Sequence, residues 1–483
     1  MDGYLTAEDA WDTLISRRRG YYQRYAALYS GHHGELSRTA DRDSFWRRHG
    51  KAKIHVPVAA DIAATSADLL FGEEPRYVIS GTERANDKKM ARLREILDRN
   101  DLHSKLCEAA ESGAVLGGVC LKLNWSEEEL DVPVISLVQS DDAVVEYRLG
   151  QVSAIHFFTP LRSDLQAQRV TRIYERYTPG EIRMALYEGT PSQLGEEKGE
   201  GMLRELGFEP VCRAPVDELL AIYVPNMRPN RFYRGTQMGR SDMEGLRDLM
   251  DALDECYSSW MRDVRLSKSR LIVPAEYLRR KNLFRDGAVT YEFDEDVETL
   301  VALDMDPDRA GTGITPSQFK IRTDEHARTC DQLLRNIISI AGYAPQTFGL
   351  DIRGQAESGT ALHMREKKSY VTRSKKENYW KGPLERFLTA MIHLDEALYG
   401  KGLFEREDRV TALFSDSIAQ DLTTIAGAVR MMREARAASL ETCVSLLHPD
   451  WDARMVEGEV ERIQREEGEA PGQPDKIQKE ETT

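Results

Sequence analysis

Three groups of residues bring chemically capable side chains close together. His32 and His33 lie between Gly31 and Gly34 and offer two imidazoles to a metal ion. A zinc site takes three or four protein ligands, so the pair reads instead as a solvated turn. Asp141 and Asp142 are paired carboxylates that could hold a cation or divide acid–base work. A capped turn between strands is the simpler reading. Cys107, Cys120, Cys212, Cys256, Cys330 and Cys443 include no C-x-x-C pair and sit in apolar or helical contexts. They read as reduced, buried thiols. No G-x-x-x-x-G-K-[ST], G-x-S-x-G or H-E-x-x-H occurs, so phosphate-loop, serine-hydrolase and zincin chemistry have no motif to rest on. Arg17–Arg19 and Arg47-Arg48 have acids close by, and Glu127–Glu129 and Glu466-Glu467 are acidic runs. All read as solvated charge. An enzyme would have only Asp141-Asp142 and His32-His33 to work with.

The elements that would carry these residues follow from periodicity. The 483 residues suffice for about two to four domains. Residues 6–29 read as a helix opened by Thr6 and Asp9 at capping-box spacing and closed by Ser30-Gly31. Helices follow from Val56-Pro57 to Phe71-Gly72, over 86–99 and over 102–116. From 119 to 225 the pattern alternates, as in Val119, Leu121 and Leu123, which predicts strands, and with no long helices between them the β block is expected to be antiparallel. Residues 189–202 read as a flexible loop.

A long helix is expected from Ser241 as N-cap. Met243, Leu246, Met250, Leu253, Tyr257, Trp260 and Val264 form its apolar stripe. Glu244, Asp248, Asp251, Glu255 and Arg262 lie opposite. Leu271–Val273, Thr290–Phe293 and Leu300–Leu303 look strand-like, and Asp304–Pro316 is turn-rich. A second long helix is expected over 317–341, stopped by Gly342 and Pro345. A glycine-rich loop spans 343–359, and a third helix runs from about Thr360 to Tyr399 with Gly382-Pro383 inside it. A small helical unit covers 416–467, and 468–483 reads as disordered.

Bulk composition limits partners. Acids outnumber bases 81 to 66, a formal charge of −15. Tight DNA binding needs a Lys/Arg surface that displaces counterions, so the chain does not read as an ordinary DNA binder. A conduit for DNA remains compatible, since a basic wall would grip the duplex. No run approaches the ~20 apolar residues of a membrane span, and no signal-peptide block precedes the first helix. The chain is expected to be made in the cytosol.

Four ordered segments carry a resemblance. HVPVAADIAATSADLLFGEEP (55–75) is followed by YVPNMRPN and GRSDMEGLRDLMDALDECYSSWMRD (239–263). Next comes PQTFGLDIRGQAESGTALHMREKKSYVTRSKKENYW (345–380), containing Ser358-Gly359-Thr360-Ala361-Leu362. Last are Phe414-Ser415-Asp416-Ser417 and ASLETCVSLLHPDWDARMVEGEVERIQRE (438–466). In this order they resemble the portal proteins of long-tailed bacteriophages. The segment between the two stem helices is shorter than the family's, and the crown is smaller.

The resemblance implies an α+β, predominantly helical portal fold with wing, stem, clip and crown, assembled as a ring. Residues 1–235 would be wing, 236–267 a stem helix, 268–316 the clip and 317–342 the second stem helix. Residues 343–359 would be the tunnel loop, 360–413 a long kinked wing helix, 414–467 the crown and 468–483 a tail. It implies a ring of twelve at one capsid vertex of the virion, assembled in the host cytoplasm. Double-stranded DNA would pass through it during packaging and ejection. The terminase large subunit would dock there, then a head-completion or adaptor protein, with major capsid and scaffolding proteins against the wing. No cofactor, metal or catalytic residue is implied. Asp351, Arg353, Gln355 and Glu357 become the tunnel-loop candidates. Glu244, Asp248, Asp251 and Glu255 become candidate channel wall, unless those acids pair with a neighbouring subunit's bases. A cellular scaffold or adaptor would explain the long helices and acidity without a pore.

Overall fold

The computed structural model describes residues 5–31, 53–80, 83–126, 130–164, 168–267, 270–272, 280–282, 289–291, 315–317, 321–350, 359–400, 402–414, 422–448 and 453–469. It divides into two compact units, one of residues 1–354 and 365–413, the other of 355–364 and 414–483.

The first unit opens on α1 (Ala7–Asp12), whose capping box forms in full. Thr6 Oγ1 accepts from Asp9 N–H at 3.1 Å, and Asp9 returns a bond to Thr6 N–H at 3.2 Å. The Asp9 carboxyl is held below its usual range by these bonds to Thr6. The chain then widens into a π-helical stretch (Thr13–Arg18) before α2 (Arg19–Ser30), which Gly31 closes at φ +69°. Next come α3 (Val58–Phe71), β1 (Arg76–Ile79), α4 (Glu83–Arg99) and α5 (Leu102–Leu116). Gly117, at φ +87°, stands against the backbone of Gly239, where a Cβ would clash. A glycine is needed there both for the turn and for the close approach.

The β block is antiparallel throughout, as expected where no long helix separates the strands. β2 (Gly118–Asn124) and β3 (Val134–Gln139) belong to one sheet. β4 (Ala143–Arg148), β5 (Gln151–Asp164), β6 (Arg169–Thr178), β7 (Glu181–Gly189) and β8 (Glu196–Glu197) run in order through the other. Where a loop was expected, β8 and α6 (Glu200–Glu205) fold back onto β7. β9 (Val211–Arg213) also pairs with β7, and β10 (Ala221–Pro225) completes the smaller sheet beside β2.

α7 (Arg247–Leu266) starts six residues after Ser241. Gly245 at φ +83° is incompatible with a right-handed helix, so Met243 and Leu246 are buried in turns that precede it. The Ser241 hydroxyl serves the turn, accepting from Met243 N–H at 3.2 Å, and Leu246 is the N-cap.

Between the long helices, β11 (Arg270–Ile272) pairs with β14 (Thr315–Ser317), and β12 (Arg280–Asn282) pairs with β13 (Val289–Tyr291). Leu300–Leu303 lies outside the described residues. α8 (Thr323–Ala341) begins after β14 rather than at 317, and Gly342 stops it at φ +109°. α9 (Gly359–Tyr399) continues through Pro383, and β15 (Val410–Leu413) pairs with β1. One core joins α2, α3, α5, α7 and α8 to the larger sheet, with Leu28, Ile62, Leu253 and Ile337 almost wholly buried.

The second unit holds α10 (Leu422–Glu434), α11 (Leu440–Leu447) and α12 (Ala453–Glu469). Ser439 caps α11 by accepting from Thr442 N–H at 3.2 Å.

Candidate functional site

α7 and α8 form an antiparallel pair. Near the end of α7, Asp263 Oδ2 lies 2.9 Å from Arg322 and 3.0 Å from His326 Nε2. Those two bonds, His326 first, hold the Asp263 carboxyl below its usual range. The Trp260 ring lies 7° from parallel to His326, centroids 6.1 Å apart. One turn deeper, Cys256 Sγ and Cys330 Sγ are 3.1 Å apart. The pair is therefore tied polar-first at its far end and apolar toward the core.

A strap runs along the flank of α7. Lys53 pairs with Glu255 at 3.2 Å. Ile54 N–H donates to Ser258 Oγ at 2.8 Å, and Val56 N–H donates to Asp254 Oδ1 at 2.9 Å. His55 Nδ1 lies 2.9 Å from Asp254 Oδ2. An extended segment with no strand partner needs such side-chain acceptors for its amides.

Where α8 ends, a polar clamp fixes the chain against α9. Thr372 Oγ1 donates to the Gly342 carbonyl at 2.6 Å, and Ala344 N–H donates to Ser369 Oγ at 2.9 Å. Thr347 Oγ1 is 2.8 Å from the same serine oxygen, and Lys368 Nζ bonds to Ser339 Oγ at 2.8 Å. Below them Asp242 gathers donors: Tyr343 OH at 2.7 Å, Asn226 Nδ2 at 2.8 Å and Lys376 Nζ at 2.5 Å. Lys376 also reaches Ser66 Oγ on α3 at 2.6 Å. Burial lowers the Lys376 pKa and Asp242 pulls it back. Burial pushes the Tyr343 phenol well above its ordinary range. The arrangement is a hub that joins five segments.

The family described as phage portal protein, SPP1 Gp6-like, matches residues 15–473. The chain belongs to the phage portal protein family. Curated proteins include no match to this portal chain. Among solved structures it is similar to a chain from the virion of a native gene transfer agent particle (TM-score 0.40, 11% identity, 81% of this chain and 89% of that one). It is also similar to a chain from the neck of an empty gene transfer agent particle (TM-score 0.41, 11% identity, 81% and 90%).

The portal chain's sequence-derived candidates fare unevenly. Asp351, Arg353, Gln355 and Glu357 lie outside the described residues, as do His32 and His33. Glu244 precedes α7 and is half-buried, accepting from Arg231 N–H at 3.3 Å and from Tyr21 OH at 3.5 Å. Burial raises its pKa. Asp251 lies 3.8 Å from Arg247, and Glu255 pairs with Lys53. Asp248 is exposed, with no hydrogen-bond or ion-pair partner among the described residues. Three of the four acids thus have partners within their own chain.

Asp141 and Asp142 sit in the expected turn, a 3-10 turn between β3 and β4. Among the described residues of this portal chain, no group of three or more His, Cys, Asp or Glu could hold a metal, and no helix is long and apolar enough to cross a membrane.

Sequence reasoning missed the Lys376–Asp242 hub and the buried Asp254. Asp254 was detectable: four residues after Met250 and three before Tyr257, it falls on the apolar stripe. It also missed a basic face on α9. Between Arg365 and Lys381 there are seven bases and two acids. Lys367, Lys375 and Lys381 are exposed on one side, while Ser369, Lys376 and Trp380 are buried on the other.

Proposed function

We propose that twelve copies of this chain form the portal ring at one capsid vertex, the channel through which double-stranded DNA is packaged and ejected. The family match over residues 15–473 carries the reading. Portal-family proteins are structural, and no catalytic residue or cofactor is assigned. In the proposed ring α7 and α8 are the stem and 268–316 the clip that receives the terminase large subunit, then an adaptor. Residues 1–235 and 360–413 form the wing facing capsid and scaffolding proteins, and 414–467 the crown.

Exposed apolar side chains on the stem pair support lateral association: Val264 and Leu266 on α7 and Ile340 on α8, the last 55% exposed. A few such residues gain from burial against a neighbour, at about 25 cal/mol per Å² of apolar surface. The 343–359 loop, held at its root by the clamp, is the segment proposed to meet DNA. Arg353 would contact phosphates transiently, while Asp351 and Glu357 limit how tightly.

Negative-stain microscopy of the purified chain tests the assembly. Rings with a central hole, and a mass near 660 kDa for twelve chains of 54.9 kDa, are expected. Compact monomers or dimers with no hole would instead favour a cellular adaptor.

A further inference from the structure

A cavity of about 340 Å³ opens where the π-helical stretch meets the β block. That is the low end of the ~300–1,000 Å³ typical of small-molecule pockets. Its walls include Arg18, Tyr22, Ser140, Tyr147, Tyr223 and Gln237. No lining residue is a carboxylate.

Polar groups here lack partners. The Tyr147 hydroxyl and the Ser140 Oγ are buried with no hydrogen bond, as are two atoms of residues outside the lining, Arg228 Nε and Asp141 Oδ1. Arg228 spends one N–H on Gln237 Oε1, at 3.3 Å. Arg18 makes no ion pair with any described residue, yet its charge acts on Tyr22, Tyr147 and Tyr223, and that of Arg228 acts on the last two. Burial pushes all three phenols above their ordinary range, so each keeps its proton as a donor. The Tyr223 oxygen accepts from Gly239 N–H at 3.0 Å, which leaves its own O–H to donate. Asp141 also acts on Tyr22 but does not line the cavity, and burial raises its pKa toward the neutral form.

Buried donors left unpaired cost stability. Such costs persist where a ligand relieves them. Arg18 is presented by the π turn of Thr13–Arg18, a rare geometry that recurs at functional sites.

We propose that this cavity binds a small phosphate-bearing anion, with Arg18 supplying charge at the wall, Arg228 adding charge from outside the lining through Gln237, and Tyr147, Ser140 and Tyr22 supplying hydroxyl donors. A phosphate has the charge and the several acceptor oxygens that a carboxylate-free lining with these donors asks for. Free phosphate and a phosphomonoester share that chemistry.

The test uses the full chain. Thermal unfolding and titration calorimetry are run with inorganic phosphate, with a nucleoside 5′-monophosphate, and with potassium chloride at matched ionic strength. The expected result is a saturable rise in Tm and a saturable heat with phosphate that chloride does not reproduce. Arg18→Gln should weaken binding by about tenfold or more, as loss of a charge-assisted hydrogen bond does. Tyr147→Phe, which keeps the ring and the packing, should weaken it less. Tighter binding of the monophosphate would identify a phosphomonoester as ligand, and equal binding would identify free phosphate; both uphold the site. Identical responses to both phosphates and chloride, or an Arg18→Gln protein that responds as the wild type does, would overturn it. If Arg18→Gln fails to fold, Tyr147→Phe against wild type decides the same question.

Discussion

Lys376 and Asp242 form a salt bridge with side chains only 1% and 2% exposed. Burying both charges costs several kcal/mol per ion, offset by close contact and by satisfied neighbours. Here Ser66, Tyr343 and Asn226 supply those neighbours. The bridge and its neighbours therefore fix five segments together: α3, the end of β10, the turn before α7, the end of α8 and the middle of α9.

Breaking one half should cost more than removing both. Lys376→Met leaves a buried carboxylate unpaired and is expected to lose about 3–5 kcal/mol. Lys376→Met with Asp242→Asn removes both charges and should recover much of that loss. Urea midpoints of wild type, single and double variants measure the cycle. A double variant no more stable than the single would show that charge pairing is not what holds the hub.

Cys256 and Cys330 are poised for a crosslink. Their sulfurs are 3.1 Å apart across α7 and α8. Both are free thiols, and burial pushes the Cys330 thiol up to about 12. Only a thiolate attacks, so the more accessible Cys256 should react first. With diamide, two thiols give one disulfide, losing two protons and two electrons to the diazene. Peptide mapping should find the Cys256–Cys330 pair, and Cys330→Ser should abolish it. Full alkylation of both thiols after long exposure to oxidant would refute the prediction.

How far the sequence reached depends on which forces are local. The Thr6/Asp9 box and the stops at Gly31 and Gly342 are written within a few residues and appear in the structure, whereas the alternation of Val119, Leu121 and Leu123 belongs to a strand buried on both faces, Cys120 and Lys122 included. The start of α7 was misplaced because a 3-4 apolar spacing continued through Met243 and Leu246, while Gly245 took a left-handed conformation. The Lys376–Asp242 hub was illegible, since a lysine in a charged helix reads as solvated until its face is known. Its partner is 134 residues away. The acidic face was half legible: Asp248, Asp251 and Glu255 lie on α7, but Glu244 precedes it, and Lys53, which pairs with Glu255, arrives on a strap that no periodicity announces.

Asp142 should make the protein less stable as pH rises. Its pKa is pushed up to about 7, first by burial and then by Asp141, with Arg172 pulling it down. In the unfolded chain it is near 3.9. Between those values the folded state holds more protons than the unfolded one, so unfolding free energy falls with increasing pH. The penalty is absent below about pH 4 and complete above about pH 7. Asp142→Asn should therefore raise Tm at pH 8, with the advantage fading by pH 4.5. An equal shift at both pH values would show that ionisation is not the cause.

The tunnel loop and the basic face of α9 make separable predictions in the proposed ring. The Asp351, Arg353 and Glu357 triple-alanine variant should still assemble but should package or retain DNA poorly; normal packaging and retention would rule out the loop's role. Lys367, Lys375 and Lys381 fall within one face of α9 at 100° per residue, exposed and clear of the buried hub. If they meet phosphates, each contact releases counterions, and log retention falls with log salt at a slope set by the number of contacts, about 0.9 per phosphate neutralised. Changing all three to Gln should flatten that slope without disturbing assembly, whereas the loop variant should lower retention across all salt concentrations. A lysine variant with the wild-type slope would place the basic face away from DNA, against another protein or open solvent. The wall would then be as acidic as the overall charge suggests, and Asp248, which of the four candidate acids alone has no partner among the described residues, would be the first position on α7 to test for repulsion by Asp248→Lys.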